Sequence, residues 1–225
     1  MKLSEKHRPK TFAEVVGQED AVRVLQEAIA RGELAGGPVM IRGGPGSGKT
    51  TLAQIVGWAL TGDEPGRSME VQQFDASDIS LDWIREWEFS CRTFGMSKTG
   101  RKVRILNEAD QLPRLSVGRL KTTLEELPQH CTWVFTSARL PERSLFDGAA
   151  EEHEEQFISR CLRVCLRSGK QNELAFAIHL RKIAQNEGLD GRDLDSYIRL
   201  VQGENGNLRA CIEAIGRGVM RKEAA

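Results

Sequence analysis

One stretch of eight consecutive residues has the types and spacing of a phosphate-binding loop. The pattern G-x-x-x-x-G-K-[ST] is matched at every defined position by Gly43-Gly44-Pro45-Gly46-Ser47-Gly48-Lys49-Thr50. Glycines let successive backbone N–H groups close around a polyphosphate, which larger side chains would block. Lys49 supplies a positive charge for the β- and γ-phosphates, and the Thr50 hydroxyl can ligate Mg²⁺. The pattern therefore predicts a nucleoside triphosphate site.

The elements around this loop are the ones that such a site requires. Residues 38–41 are apolar and predict a short buried strand, and residues 50–60 predict the helix that follows. The loop would then lie on a strand-to-helix turn, with the N-terminus of the helix directed at the phosphates. A glycine-rich turn with a chance lysine is the alternative, and the order of strand, loop and helix disfavours it.

A second polar group follows residues 103–106, which predict another buried strand. It reads Asn107-Glu108-Ala109-Asp110. Acidic residues at the carboxyl end of a parallel strand lie where such sheets place their ligands. These side chains are therefore candidates for contacts with a bound ligand.

The composition bounds the class of protein. The 225 residues suit one large domain, or one domain with a small appendage, and 40% hydrophobic residues are ordinary for a soluble globular protein. Lys plus Arg and Asp plus Glu both total 32, so the zero net charge excludes a global attraction to nucleic acid but allows a local basic face. No apolar run reaches the roughly 18 residues of a membrane span, and the N-terminus lacks a signal-peptide core. We therefore expect an intracellular protein, cytoplasmic or nuclear, with no membrane partner.

The cysteines are typical of a reducing compartment. They number five, which is odd, and none forms a C-x-x-C pair, so neither a zinc site nor a disulfide framework is expected. Cys161 and Cys165 are predicted to be buried. Trp83 and Trp87 lie four residues apart and are expected to pack on one helix face rather than to stack on bases.

Strands and helices alternate through the first 168 residues. This alternation predicts a doubly wound α/β domain over residues 1–168, with a parallel sheet covered by helices on both faces. Residues 169–225 should form a small, all-helical lid domain. The predicted strands are 38–41, 71–74, 103–106, 132–136 and 162–166, and the predicted helices are 19–31, 50–60, 81–91, 115–127, 173–185, 194–201 and 207–221.

Other segments carry weaker signals. Residues 1–10 are predicted to be a polar arm, because Pro9 disfavours helix. Thr11 and Glu14 have the spacing of a capping box, which would open a short helix. Residues 139–157 are predicted to be irregular, with a solvent-facing acidic run at 151–155. Residues 97–102 form a basic turn that is either a solvated loop or a contact to a polyanion.

Several short motifs in order around the phosphate loop carry a family resemblance. Residues 5–18 contain E-K-H-R-P-K-T and E-V-V-G-Q, residues 75–78 read D-A-S-D, residues 159–161 read S-R-C, and residues 206–209 read G-N-L-R. These resemble motifs of the AAA+ ATPases and, more narrowly, of the clamp-loader family that includes replication factor C small subunits. The resemblance covers nearly the whole chain and implies an ATPase that works beside other AAA+ subunits.

The resemblance also implies a role for each matched residue. The phosphate loop and Thr51 would bind ATP with Mg²⁺, and Glu108 would orient or deprotonate the attacking water. Arg160 would reach the γ-phosphate bound by a neighbouring subunit, and Arg209 would touch nucleotide on its own subunit. An ordinary surface arginine and a helix-face arginine in a salt bridge are the alternatives for these two. The residues expected beside the adenine are Arg8, Pro9, Val16 and Gln18.

Three departures from the family pattern bear on activity. Asn107 stands where the family's acidic box begins with aspartate, which normally holds the Mg²⁺ shell. An amide keeps a carbonyl oxygen for that contact but loses the charge. Ala138 aligns with the usual sensor 1 asparagine, which leaves Thr136 and Ser137 as nearby hydroxyls. The family's helical collar has no counterpart after Arg221, so we expect either a truncated chain or assembly through the ATPase modules alone.

The expected function is therefore an ATP-dependent switch on DNA, most similar to a clamp-loader subunit. Other AAA+ subunits, DNA and a sliding clamp are the expected partners. Two alternatives stay open: a nucleotide-binding regulatory or scaffold subunit with little hydrolysis, and another AAA+ remodeller such as a helicase loader or a junction motor. DNA phosphates would meet the helix that starts near Ser80 and the basic residues Arg85, Lys98, Arg101 and Lys102.

Overall fold

Five parallel strands form the sheet of the computed structural model, which describes residues 2–139, 144–146, 154–167 and 171–221. Their order is β2-β3-β4-β1-β5, and every neighbouring pair is parallel. Each strand agrees with its predicted bounds to within one residue. The strands are β1 (Val39–Arg42), β2 (Val71–Asp75), β3 (Lys102–Asn107), β4 (Cys131–Ser137) and β5 (Leu162–Cys165).

The three inner strands β1, β3 and β4 are buried along their whole length. A strand that is covered on both faces needs apolar side chains on both, which explains the near-continuous apolar runs in the sequence. The doubly wound α/β fold is thereby confirmed. The helices that accompany the sheet are α2 (Glu19–Ala30), α3 (Lys49–Thr61), α4 (Leu81–Ser90), α5 (Arg114–Glu125) and α6 (Glu154–Ile158).

Aromatic side chains fill the core between the sheet and helices α4 and α5. The Trp133 ring on β4 lies 5.8 Å from that of Trp83 and 5.9 Å from that of Trp87, both in edge-on arrangements. The Arg104 guanidinium lies 4.0 Å above the Trp87 ring. Packing of both helix tryptophans, rather than base stacking, is therefore confirmed.

Two compact units make up the chain. Residues 20–43 and 49–165 form the sheet unit, and residues 1–19, 44–48 and 166–225 form the helical unit. The helical unit contains α1 (Leu3–Lys6), α7 (Glu173–Asn186), α8 (Leu194–Gly203) and α9 (Leu208–Gly216). Its core packs Phe176, Leu180, Tyr197 and Ile215 together. The three predicted helices of this region are present.

The N-terminal segment differs from its prediction. Residues 3–6 are helical rather than an arm, because Leu3 packs on the core of the helical unit and Ser4 hydrogen-bonds to Glu213. The predicted capping box is also wrong. Residues 12–14 form a single 3₁₀ turn, and the Thr11 hydroxyl donates to the Glu14 carboxylate, at 3.1 Å, instead of capping a backbone group.

Three further predictions are corrected. Residues 154–158 form α6 inside the stretch predicted to be irregular, because Phe157 is fully buried against Phe135; residues 151–153 of the acidic run lie outside the described part. The last helix ends at Gly216 rather than 221, because glycines follow in quick succession and Gly218 has φ +88°. Cys165 is exposed, because β5 is an edge strand whose alternate side chains face away from the core.

Candidate nucleotide-binding site

The phosphate loop joins β1 to α3, as the motif requires. Helix α3 begins at Lys49, directly after the last glycine of the loop. Gly46 and Gly48 have φ +68° and +97°, a conformation that other residues rarely adopt. A Cβ atom on Gly46 would also collide with the Asn207 side chain, whereas one on Gly48 would meet nothing within 4 Å. The glycines therefore serve the shape of the loop itself, and the predicted strand, loop and helix are confirmed.

Two side chains of the loop segment carry its polar chemistry. The Lys49 ammonium donates to the Gly43 carbonyl at 2.8 Å, so it is folded back along the start of the loop. The Ser47 hydroxyl is buried and has no hydrogen-bond partner among the described residues. A buried donor without a partner costs free energy, so an acceptor oxygen on a bound phosphate would be stabilised there.

Thr50, Asn107 and Thr136 meet within the sheet unit. The Asn107 side-chain oxygen, at the end of β3, accepts from the Thr50 hydroxyl at 3.2 Å and from the Thr136 hydroxyl at 3.4 Å. Asn107 is only 8% exposed, so this amide is fixed in place. Thr50 is the second residue of α3. Asn107 and Thr136 come from the neighbouring strands β3 and β4, whose carboxyl ends lie together. The fold thus brings the predicted metal-binding pair Thr50 and Asn107 into direct contact.

The end of β4 has a second polar network, in which Asp110 is central. The Ser137 hydroxyl donates to Asp110 at 2.6 Å, and the Arg139 guanidinium lies 3.7 Å from the same carboxylate. The Ser137 carbonyl also accepts from the Gly43 N–H at 3.2 Å, which links β4 to the first residue of the loop. Ala138 is exposed and offers no polar group. Sequence reasoning missed Arg139, although an arginine two residues beyond the end of a buried strand was the available signal.

Glu108 lies directly after β3, in an uncommon backbone conformation. Its φ and ψ are 53° and 52°, which is left-handed and rare for a residue other than glycine. The side chain is exposed, and its carboxylate accepts from the Gln111 side-chain amide at 2.6 Å. Such a backbone is often found where a side chain is held for a function. The carboxylate is therefore accessible to a water molecule.

Arg160 lies on the turn between α6 and β5. Its guanidinium forms an ion pair with Glu125 on α5 and donates to the Gln156 carbonyl on α6. It is half-buried, so the guanidinium reaches solvent on one side. Within this chain, the predicted arginine finger is thus held by a carboxylate that an incoming phosphate would have to replace.

The candidates in the helical unit have varied surroundings. Both polar atoms of the Gln18 side chain bond the backbone of Arg167, at 2.9 and 3.2 Å, and the residue is 2% exposed. A direct contact between Gln18 and adenine would have to replace these bonds. Val16 packs on the core of the helical unit, and Pro9 is half-buried. Of the two arginines, Arg8 lies 3.3 Å from Glu5, and Arg209 is exposed in the first turn of α9.

Lys102 does not belong to the basic surface that was predicted to contact DNA. Lys102 belongs to β3, is 7% exposed, and donates to the Ser90 carbonyl at 2.6 Å, so it is wrong as a DNA contact. Arg85 is exposed but lies 2.8 Å from Asp82, one turn earlier on α4. Lys98 is exposed and Arg101 is half-buried. Arg85 lies in the second turn of α4, whereas Lys98 and Arg101 follow the C-terminal end of that helix.

The described residues contain no group of three or more His, Cys, Asp and Glu side chains that could hold a metal ion. None of their helices has the length and apolar character needed to cross a membrane.

Curated relatives cover almost all of this chain. It is 28% identical over 215 residues to the replication factor C small subunit of Halobacterium salinarum, which covers 94% of this chain and 61% of the relative. It is also 28% identical to small subunit 1 of Pyrobaculum arsenaticum and to the small subunit of Picrophilus torridus, which again cover 94% of this chain. The chain spans about 60% of the length of these relatives. No protein-family model matches it.

Solved structures support the fold. The Holliday junction branch migration motor RuvB of Thermotoga maritima superposes with a TM-score of 0.66 at 19% identity, over 93% of this chain and 64% of RuvB. A single-residue variant of the same protein gives 0.65 at 20% identity, with the same coverage. At this level of identity the likeness concerns the fold alone. The chain is therefore similar to replication factor C small subunits along nearly its whole sequence, and it has the fold of the RuvB motor.

Proposed function

We propose that this chain is an ATP-binding and ATP-hydrolysing AAA+ subunit of a clamp-loader-like assembly that acts on DNA during replication. The observation that carries the proposal is the contact between Thr50 and Asn107, which joins a complete phosphate loop to the end of β3. In this arrangement the loop amides and Lys49 bind the phosphates, while Glu108 is placed at the same edge of the sheet. The similarity to replication factor C small subunits supports the choice of assembly.

The residues present fit a bound Mg²⁺ ion. A hydroxyl and an amide carbonyl are hard oxygen ligands, which Mg²⁺ prefers, and Thr50 and Asn107 present both 3.2 Å apart. Thr50 would hold the ion together with phosphate oxygens, and Asn107 would contact it through a water molecule. The bound ion supplies positive charge that offsets the charge on the phosphates.

Hydrolysis would then depend on two side chains that do not bind the ground-state phosphates. The exposed carboxylate of Glu108 would accept a hydrogen bond from the attacking water and orient it. Arg160 of a neighbouring subunit would approach the γ-phosphate and stabilise the charge that develops there. Each subunit would thus supply the loop of one site and the arginine of the next.

Replacement of Lys49 tests the nucleotide site. Lys49→Ala should weaken ATP binding severely, because it removes the charged donor that serves the β- and γ-phosphates. Isothermal titration calorimetry with ATP and Mg²⁺ measures the change in Kd. Lys182→Ala, which removes an exposed lysine on α7, is the matched control and should bind like wild type. Equal affinity in Lys49→Ala and wild type would refute the assignment of the loop.

A second candidate function is a nucleotide-binding scaffold subunit with little hydrolysis. Asn107 favours it, because the amide lacks the charge of a carboxylate, and Ala138 favours it because it offers no polar group. In this case ATP binding would order an assembly without being consumed. The two candidates differ in whether the residues around Asn107 can support turnover.

Replacement of Asn107 by aspartate tests whether the amide limits hydrolysis. Asn107→Asp should raise steady-state ATP turnover about 10–100-fold, the usual effect of an outer group at a metal site. The new carboxylate can still accept from Thr50 and Thr136, so its neighbours need not move. Asn205→Asp adds the same charge at an exposed position and should leave turnover unchanged. An Asn107→Asp rate equal to wild type, with ATP still bound, would show that the amide does not limit hydrolysis.

The partners are proposed on the same basis. Other AAA+ subunits, in a ring or partial ring, would complete each site, and a sliding clamp would be the object that is loaded. DNA would meet Arg85 on α4, whose N-terminus Ser80 caps, or Lys98 and Arg101, which follow the C-terminal end of the same helix. Such a protein works in the cytoplasm or nucleus. Binding of a sliding clamp separates a clamp loader from another AAA+ remodeller.

A further inference from the structure

An ion pair between Arg42 and Glu154 connects the phosphate loop of this chain to the segment that carries Arg160. Arg42 is the last residue of β1 and immediately precedes Gly43, the first residue of the loop. Its guanidinium lies 3.4 Å from the carboxylate of Glu154, the first residue of α6. Both side chains are largely buried, with 8% and 15% of their surface exposed. A buried ion pair of this kind holds its two segments in one arrangement.

Glu154 is the centre of a wider network. Its second carboxylate oxygen accepts from the Ser144 hydroxyl at 2.5 Å and from the Phe146 N–H at 3.5 Å. Burial by itself raises the pKa of Glu154, but the bonds from Ser144, from the Leu145 and Phe146 backbone and from Arg42 together hold the pKa below its ordinary value. The carboxylate is therefore ionised at neutral pH, and the ion pair with Arg42 is intact.

Helix α6 connects Glu154, its first residue, to the turn that carries Arg160. Phe157, three residues after Glu154 and on the neighbouring part of the same helix face, is fully buried, with its ring 4.9 Å from that of Phe135 and 5.6 Å from that of Phe146. The helix is thus held by one polar and one apolar contact. A tight turn follows, in which Ser159 N–H bonds the Glu155 carbonyl at 2.8 Å and Cys161 N–H bonds the Ile158 carbonyl at 3.0 Å. Arg160 lies between these two bonds, so its backbone has little freedom relative to α6.

The buried charge of Arg42 is compensated by Glu154. The Nε atom of Arg42 is buried and has no hydrogen-bond partner among the described residues. The pair lines a cleft of about 590 Å³ together with Ser159, Arg163 and Cys165, which places the turn before β5 beside it. The charge of the guanidinium is therefore compensated by Glu154 at the point where β1 enters the phosphate loop.

We propose that Glu154, through its ion pair with Arg42, is a positioning residue that holds Arg160 in place for the nucleotide of a neighbouring subunit. This inference rests on the proposed function, in which Arg160 acts on a neighbour. It adds that the arginine is anchored to the strand that leads into the phosphate loop of its own chain. Loss of the pair should therefore impair the arginine that a subunit donates more than the site that the same subunit holds.

A mixture of two variants tests whether the effect is confined to the subunit that supplies the arginine. The subunit that supplies Arg160 is called the donor, and the subunit whose phosphate loop receives it is called the acceptor. The acceptor carries Arg160→Ala and keeps its loop, and the donor carries Lys49→Ala and keeps its arginine. Addition of Glu154→Gln to the donor should lower the recovered ATPase about 10²-fold, the effect of a displacement of about 1 Å at a reacting group. Glu155→Gln, the same change at the next residue of α6, should leave the recovery unchanged. Glu154→Gln in the acceptor should lower the recovery much less than in the donor, because the acceptor has no Arg160 to be displaced.

The outcomes separate this inference from the proposed function. Recovery with the Glu154→Gln donor equal to that with the Glu155→Gln donor overturns the inference alone. No recovery in the reference mixture, despite co-assembly, overturns the action of Arg160 on a neighbour and this inference with it. If Glu154→Gln does not fold because it leaves the Arg42 charge buried, a donor with Arg42→Met and Glu154→Gln removes both charges. That donor should show the same loss, and full recovery with it contradicts the inference.

Discussion

A mixture of two inactive variants, Lys49→Ala and Arg160→Ala, should recover part of the ATPase activity that neither shows alone. The first keeps its arginine and the second keeps its phosphate loop, so an interface between them contains one complete site. An arginine finger supplied by a neighbour contributes about 10³–10⁵ in kcat in related phosphoryl-transfer systems. Recovery is partial because only some of the interfaces in a mixture pair the two intact groups.

Isolated chains should be slow because no neighbouring chain supplies an arginine to their site. Within one chain the Arg160 guanidinium pairs with Glu125 and the Gln156 carbonyl, contacts that a neighbour's phosphate has to displace. Wild-type turnover should therefore rise faster than linearly with protein concentration. Co-assembly is checked by light scattering or native mass spectrometry. Arg199→Ala, at an exposed arginine of α8, is the matched control and should keep full activity.

No recovery in mixtures that are shown to contain both variants would remove Arg160 from the site of a neighbour. If Arg160→Ala by itself keeps full activity, the role of this arginine is limited to its ion pair with Glu125 and its bond to the Gln156 carbonyl. Exposed pairs of this kind contribute little to stability, about 0–1 kcal/mol. The melting temperature of Arg160→Ala would in that case equal that of wild type to within measurement.

Glu108→Gln should abolish most of the ATP hydrolysis while leaving ATP binding intact. Proton transfer by a positioned side chain contributes about 10²–10⁴-fold to a rate, and an amide cannot accept the proton. Glutamine has the same shape and lets the backbone keep its left-handed conformation, so the loss would report on chemistry rather than folding. Single-turnover hydrolysis of ATP, together with calorimetric ATP binding, measures the two effects separately.

Glu126→Gln is the matched control for this experiment, because it removes an exposed carboxylate just beyond α5. It should hydrolyse ATP at the wild-type rate. A rate that Glu108→Gln leaves unchanged would refute the assignment of Glu108 as the base. If wild type and Glu108→Gln are both inactive while both bind ATP, the scaffold function is favoured over the enzymatic one.

Local sequence patterns were sufficient for the elements of the sheet. Each predicted strand agrees with the structure to within one residue. For the inner strands β1, β3 and β4 the reason is that a strand buried on both faces needs a near-continuous apolar run. The phosphate loop was predictable for a related reason. Gly46 and Gly48 have positive φ, which residues other than glycine rarely adopt, so the residue types themselves indicate the conformation of the loop.

Patterns of local sequence failed where distant contacts decide the structure. Helix α6 begins in an acidic run that resembles a solvated loop, and it exists because Phe157 is buried against Phe135. The first four-residue helix exists because Leu3 packs on a core built from residues at the other end of the chain. Helices this short are unstable alone, so the tertiary contact supplies the free energy that propensity cannot.

The sequence by itself determined the parallel sheet, the phosphate loop and the identity of the residues that follow β3 and β4. Only the tertiary structure decided which of them meet. It joined Thr50, Asn107 and Thr136 through one amide oxygen, buried Lys102, and paired Arg42 with Glu154, which lie 112 residues apart in the chain. The physical reason is that hydrogen bonds and ion pairs depend on distances of about 3 Å between side chains. Such distances arise only after the apolar core has brought remote segments together.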